Sequence, residues 1–107
     1  MIADCIHFVN KGLEGQFDLW MKELSSSTST DQKKQLVREM LMHYAGNMVV
    51  VCMAGISDAI EPECQSQYDR LLDKLPSYTN RFRELGIQLA PQIDEAILRH
   101  RHPHMDK

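Results

Sequence analysis

The segment from Met40 to Ile60, MLMHYAGNMVVVCMAGISDAI, decides the fold of this chain. It contains no Asp, Glu, Lys or Arg before Asp58, and its middle is an apolar run from Met48 to Ala54. The helical spacing of apolar residues on both sides of Val49–Val51 favours one long helix, to about Ile60, over a β-strand. A helix that is apolar on nearly every side has to be covered all round. The segment therefore predicts either a helix at the centre of a bundle or a helix that a second chain covers in part.

The residues before and after this segment supply further helices. Apolar residues recur three and four positions apart from Ala3 to Leu24, which is the period of an α-helix. Pro62 can occupy the first turn of another helix, whose amphipathic pattern is expected to end before Pro76. Ser77 is expected to cap the helix that follows.

A Gly-Ile pair predicts the end of the helix that precedes the last one. Gly86 followed by Ile87 is typical of a helix C-terminus in which glycine takes the left-handed conformation. Pro91 then favours a last helix that carries Ile93 and Ile97. Together these patterns predict an all-α fold, a compact bundle of four to five helices with a long, nearly all-round apolar central helix.

The composition is that of one domain, residues 1–107. Residues 25–30, SSSTST, are expected to form a mobile linker in which Ser29 or Thr30 caps the long helix, and residues 100–107 a frayed, His-rich tail. A net charge of −3 with scattered Lys and Arg argues against nucleic-acid binding. The N-terminus has no signal-peptide pattern and no apolar run reaches about 18 residues, so we expect a cytoplasmic protein that does not bind membranes.

No pattern of reactive side chains favours catalysis. Cys5, Cys52 and Cys64 lack the spacing of a metal site and are predicted to be structural thiols. Glu39 and His43 lie four positions apart, but the second copy of the motif that a di-iron bundle site requires is missing. We therefore expect neither enzymatic activity nor a cofactor.

The alternating histidines at the end of the chain leave one alternative open. In an extended strand, His100, His102 and His104 would share one side and could hold zinc, copper or nickel. A terminal tail with Pro103 supplies no side chains that would orient these ligands, so we expect no resident metal.

Second apolar stripes on two helices favour protein–protein binding. The first helix carries one such stripe beside its main apolar face, and the long helix carries another. Gly12 and Gly15 predict either a notch for close approach of another backbone or a break in the helix, and both interpretations stay open. The predicted partner or dimer interface consists of Phe8, Gly12, Gly15, Leu19, Met42, Val49, Met53, Ile56 and Ile60.

In length, helical layout and acidic balance, the whole chain resembles small bacterial anti-activators, helical proteins that sequester quorum-sensing transcription factors. The resemblance implies an inhibitor that binds the ligand-binding domain of a LuxR-type regulator and competes with its dimerisation, without contacting DNA. We therefore expect a small cytoplasmic regulatory protein, itself a homodimer, that masks the dimerisation interface of a transcription factor. A metal-binding protein that uses the His-rich tail and a structural homodimer without further partner are the alternatives.

Overall fold

The computed structural model describes residues 2–102, which form an all-α bundle, as predicted. Helix α1 spans Ile2–Lys11 and continues through a kinked segment, Gly12–Gln16, into α2, Phe17–Ser25. Helix α3, the long apolar helix, spans Asp31–Ile56. A 3-10 turn at Pro62–Cys64 leads into α4, Gln65–Glu84, and α5 spans Pro91–Arg101.

The two glycines of the first helix have different roles: the helix breaks at Gly15, whereas Gly12 makes room for aromatic side chains of its own chain and not for another backbone. Gly12 is buried, and a Cβ atom there would lie 2.5 Å from the ring of Phe17 and 2.9 Å from that of Tyr44. Gly15 has a φ of 131°, a left-handed conformation that L side chains rarely adopt, and it bends the chain between α1 and α2. The bend changes the direction of α2 relative to α1.

The connector between α2 and α3 is held by hydrogen bonds at both ends. The Thr30 side chain accepts a hydrogen bond from the Lys33 amide at 3.1 Å, which confirms Thr30 as the N-cap of α3. Ser29 donates to the carboxylate of Glu23, which also pairs with Lys33 at 2.9 Å. The hydrogen bond from Ser29 and the pairing with Lys33 lower the pKa of Glu23. At its other end α3 stops at Ile56, short of the expected Ile60, because Asp58 turns the chain with a φ of 57°.

The expected helix end before Pro76 is wrong, because α4 runs through this proline. Proline removes one amide hydrogen bond from a helix interior, but tertiary packing outweighs that local loss. Helix α4 buries one continuous stripe across the proline against α1 and α5, and Ser77 donates its hydroxyl to the Lys74 carbonyl instead of capping a new helix. The stripe consists of Tyr68, Leu71, Leu72, Leu75, Thr79 and Phe82.

The predicted break after α4 is confirmed. Gly86 has a φ of 81°, its amide bonds the Arg83 carbonyl, and the Ile87 amide bonds the Phe82 carbonyl, each at 3.0 Å. This pair of bonds is the Schellman arrangement, in which an apolar residue folds back onto the helix that has just ended. Ile87 is accordingly buried.

Helix α3 occupies a corner of the bundle. It packs on α1, α2 and α5, whereas α4 packs on α1 and α5. The rings of Tyr44, Tyr78 and Phe82 surround the buried ring of Phe17, and this cluster joins α2, α3 and α4. The outer side of α3 is left without a covering helix among residues 2–102.

Candidate interaction surfaces

Exposed apolar side chains are concentrated on α3. Of the seven large apolar residues that are exposed among the described residues, five lie on this helix. The buried stripe of α3 runs from Val37 through Leu41, Met48 and Val51, and the helical period places the exposed residues on its other sides. The five are Leu36, Met40, Met42, Val50 and Met53.

The first apolar surface is a groove between α2 and α3. Leu19, Trp20, Met40 and Tyr44 contribute its apolar walls, and the groove has a volume of about 780 Å³. Leu19 is 63% exposed and Met40 is 45% exposed. The rim is polar, with charges of both signs, and Gly15 lies at its edge, where the bend starts α2; the rim residues are Lys11, Glu14, Gly15 and Gln16.

The second apolar surface is the outer side of α3, away from the bundle. Met42 is 56% exposed and Val50 is 46% exposed. Gly46 lies between them, and no atom stands within 4 Å of the position that its Cβ would occupy. A groove of about 500 Å³ runs beside this surface, with Val49 on one side and Ile87 on the other.

Comparison with protein-family models, with curated protein sequences and with solved structures finds no match for this chain. The interaction surfaces are therefore described from their own geometry.

The structure places the predicted interface residues in three settings. Leu19, Met42 and Met53 are exposed. Phe8, Gly15, Val49, Ile56 and Ile60 are half-buried, and Phe8 stacks on the ring of Tyr44 at a centroid distance of 4.0 Å. Gly12 is buried by side chains of its own chain.

Sequence reasoning missed four of the exposed residues. Met40 lies at the edge of the apolar stripe of α3, where helical periodicity favours burial, but no helix among residues 2–102 covers that edge. Leu36, Val50 and Leu98 lie outside the stripes that the periodicity singled out. A helical wheel gives the direction of each side chain, whereas coverage depends on where the neighbouring helices pack.

The cationic residues near the end of α4 are engaged within the bundle. Arg81 pairs with Asp18 and Arg83 pairs with Asp94, each at 2.7 Å. Phe82, between them, is completely buried in the core. These three side chains are therefore part of the fold, in contacts between α4 and its neighbours.

His100 belongs to α5 and not to a frayed tail as expected. It lies 2.8 Å from a carboxylate oxygen of Asp73 and 3.9 Å from one of Asp69, both on α4. His104 and the rest of the tail, residues 103–107, lie outside the described residues. Within residues 2–102 no group of three or more His, Cys, Asp or Glu side chains is placed to hold a metal ion.

Helix α3 is long and apolar enough, by length and composition alone, to cross a membrane, and 33% of its most apolar window is buried in the bundle. The expectation of no spanning segment required an unbroken apolar run, whereas uncharged polar residues such as His43 and Asn47 leave the mean hydropathy high. Core helices of water-soluble proteins satisfy the same criterion. In this structure α3 packs in a compact globular bundle.

The three cysteines are free thiols in different surroundings. Cys5 is half-buried, whereas Cys52 and Cys64 are buried. Burial, together with the charge of Asp94, raises the pKa of Cys52 to about 12. Burial also raises the pKa of Cys64, with the carboxylates of Glu61 and Glu63 adding to the effect.

We expect only Cys5 to react rapidly with an aromatic disulfide reagent at neutral pH. The thiolate is the reactive form, and a buried thiol with a raised pKa supplies little of it. The native chain should titrate as one thiol and the denatured chain as three. The Cys5→Ser variant is the control and should show no rapid reaction; rapid labelling of Cys52 in the native protein would contradict the expectation.

Proposed function

We propose that this chain is a small regulatory protein that acts by binding another protein in the groove between α2 and α3. The exposure of Leu19 and Met40 on the two walls of this groove carries the proposal. Leu36, one turn before Met40 on the same face of α3, is 58% exposed. Apolar surface with a polar rim is a common feature of protein-interaction sites, and the groove has this arrangement.

The shape of the groove favours a helix as its occupant. Two helices form the walls, so a third helix with an apolar face could bury Leu19, Trp20 and Met40 together. The polar rim, with Lys11 and Glu14, resembles the periphery of protein interfaces, which stays in contact with water around an apolar centre. A partner segment with charges of both signs beside its apolar stripe would match this rim.

The resemblance to anti-activators supports a more specific form of the proposal. The partner is then a LuxR-type transcription factor, and the chain covers the surface through which that factor dimerises, as a cytoplasmic negative regulator. A reporter driven by such a regulator should be repressed when the chain is expressed, and repression should be lost with Met40→Glu. If no LuxR-type regulator of the source genome responds, this specific form is wrong while the groove proposal still stands.

The test of the groove proposal uses matched substitutions by glutamate. We use the purified chain as bait in a pull-down, together with its Leu19→Glu, Met40→Glu and Leu98→Glu variants. Each candidate partner is then purified, and its affinity for every variant is measured by calorimetry. Leu98 on α5 is 53% exposed and lies away from the groove, so Leu98→Glu controls for loss of an exposed apolar residue. Burying a carboxylate at an apolar contact should weaken binding at least about tenfold for the two groove variants only.

Two results would contradict the groove proposal. One is a partner that binds the groove variants as tightly as the wild type. The other is pelleting of the chain with phospholipid vesicles that Met40→Glu abolishes, which would make a lipid surface the ligand of the groove. A chain truncated after Arg101, which keeps the His100 contact, should bind the partner normally; loss of binding would favour the metal-binding tail instead.

A further inference from the structure

A small cavity lies where the end of α3 meets α4 and α5, and its volume is about 180 Å³. Gly55 and Ile56, the last two residues of α3, line it together with Tyr68 and Asp69 of α4 and His100 of α5. A water molecule takes up about 30 Å³ in the liquid, so the cavity has room for a ligand of about four or five heavy atoms. None of these residues lines the groove between α2 and α3.

The hydroxyl of Tyr68 is a polar group that the fold leaves unused in this cavity. Tyr68 is only 8% exposed, and its hydroxyl lies against Gly55, where any Cβ atom would overlap the hydroxyl oxygen. Within residues 2–102 no group forms a hydrogen bond with it. The only side-chain N or O atom of that range that is both unpartnered and sealed from solvent is Oδ1 of Asn10, so the Tyr68 hydroxyl is open to the cavity. A largely buried hydroxyl without a partner costs free energy, and a ligand in the cavity could supply the partner.

The Tyr68 hydroxyl is neutral at physiological pH. Burial raises the pKa of Tyr68 to about 12, and the charge of Asp69 adds to the effect. A neutral tyrosine hydroxyl can accept a hydrogen bond through its oxygen. The cavity therefore offers a ligand two acceptor groups, this hydroxyl oxygen and the Asp69 carboxylate.

Carboxylates predominate around the cavity. Asp69 lines it, and so do His100 and Arg99. His100 lies 2.8 Å from the carboxylate of Asp73, and Arg99 lies 3.2 Å from that of Glu95. Three carboxylates thus face one guanidinium and one imidazole, so an excess of negative charge remains in either protonation state of His100. The C-terminal end of α3 adds the partial negative charge of the helix dipole.

We infer that this cavity binds a small organic cation, a primary alkylammonium. The N–H groups of the ligand donate to the Asp69 carboxylate and to the Tyr68 hydroxyl oxygen, and its short alkyl chain lies beside Ile56. Asp69 already accepts a hydrogen bond from Gln65 at 3.0 Å, but a carboxylate has about four acceptor sites. An alcohol of the same shape lacks the charge, and an anion would be repelled by the excess of carboxylates. The inference is independent of the groove proposal.

Binding is measured by amide NMR of the full, isotope-labelled chain at neutral pH and constant ionic strength. Propylammonium chloride should shift the amide signals of Gly55 and Tyr68 and saturate with a dissociation constant of roughly 1 mM, a plausible affinity for a ligand of so few atoms. Propanol, propionate and potassium chloride are the control ligands. Each should bind at least about tenfold more weakly, because none combines a positive charge with N–H donors.

Two variants test the groups assigned to the ligand. Tyr68→Phe keeps the ring against Gly55 and removes only the hydroxyl, so it should weaken propylammonium binding at least about fivefold without lowering the thermal midpoint. Asp69→Asn removes the charge and should weaken binding about tenfold. Asp4→Asn, at an exposed position of α1, is the matched control for the loss of one negative charge and should bind propylammonium as the wild type does.

Three results would overturn the inference. One is the absence of any shift at Gly55 and Tyr68 with about 50 mM propylammonium. Another is an equal response to propanol, propionate or potassium, which would show that the cavity does not recognise an ammonium group. The third is wild-type affinity in both Tyr68→Phe and Asp69→Asn. The groove proposal is tested separately, since Tyr68→Phe should leave partner binding intact and Met40→Glu should leave propylammonium binding intact.

Discussion

Replacing Phe17 with alanine is expected to remove a large part of the stability of the fold. Phe17 is completely buried, and its ring lies 5.0 Å from that of Tyr44 and 5.2 Å from that of Phe82, measured between centroids. Removing a buried phenylalanine side chain costs about 3–5 kcal/mol, against a total stability of about 5–15 kcal/mol for a typical domain. The loss of stability is expected at the upper end of the range for a buried phenylalanine, because three helices meet at this ring.

The measurement is urea unfolding followed by circular dichroism, with Leu19→Ala as the matched control. Leu19 lies on the same helix, α2, but is 63% exposed, so its truncation should change the free energy of unfolding by no more than about 0.5 kcal/mol. A loss for Phe17→Ala of less than about 1 kcal/mol would show that this cluster does not organise the core.

The second large effect is expected from a single methyl group at Gly12. Gly12→Ala places a Cβ atom 2.5 Å from the ring of Phe17. Other aromatic rings pack around this buried ring, so it cannot shift easily to relieve the contact. Overpacking of this kind costs about 1–3 kcal/mol, with the upper value expected where the neighbour is a buried ring. Thermal and urea unfolding of the variant should both show the loss.

Gly46→Ala is the control for Gly12→Ala, since both positions have the same chemical change inside a helix. The open space at Gly46 means that alanine should stabilise the dilute chain by roughly 0.5–1 kcal/mol through helix propensity alone. The same change to alanine should thus lower the free energy of unfolding at Gly12 and raise it at Gly46. Equal effects at the two positions would contradict the packing described for Gly12.

The helical fold was predictable because its signals are local. The three-and-four spacing of apolar residues determines the amphipathic helices, and Thr30, Gly86 and Pro91 mark helix ends through their own backbone or side-chain chemistry. The prediction that failed, a helix end before Pro76, was also based on local chemistry. Pro76 forbids one hydrogen bond, but the apolar stripe of α4 continues on both sides of it, and packing against α1 and α5 decided the outcome.

The interaction surfaces were only partly predictable. The exposure of Met42 and Met53 follows from their position on a second stripe of α3. Helical periodicity favours burial of Met40, one turn before the buried Tyr44, but it does not give the path of α2. The bend at Gly15 sets the path of α2, and its direction depends on tertiary contacts that spacing does not encode.

The uncovered corner position of α3 also limits how this sequence can change. On most helices of a small domain, such as α4, the solvent-facing positions accept many substitutions, because only the buried stripe is constrained. Helix α3 has its core stripe on one side and, in the proposed function, a wall of the binding groove on another. If that groove binds a partner, substitutions at exposed positions such as Met40 should impair function without lowering stability, which is not expected at the exposed positions of α4.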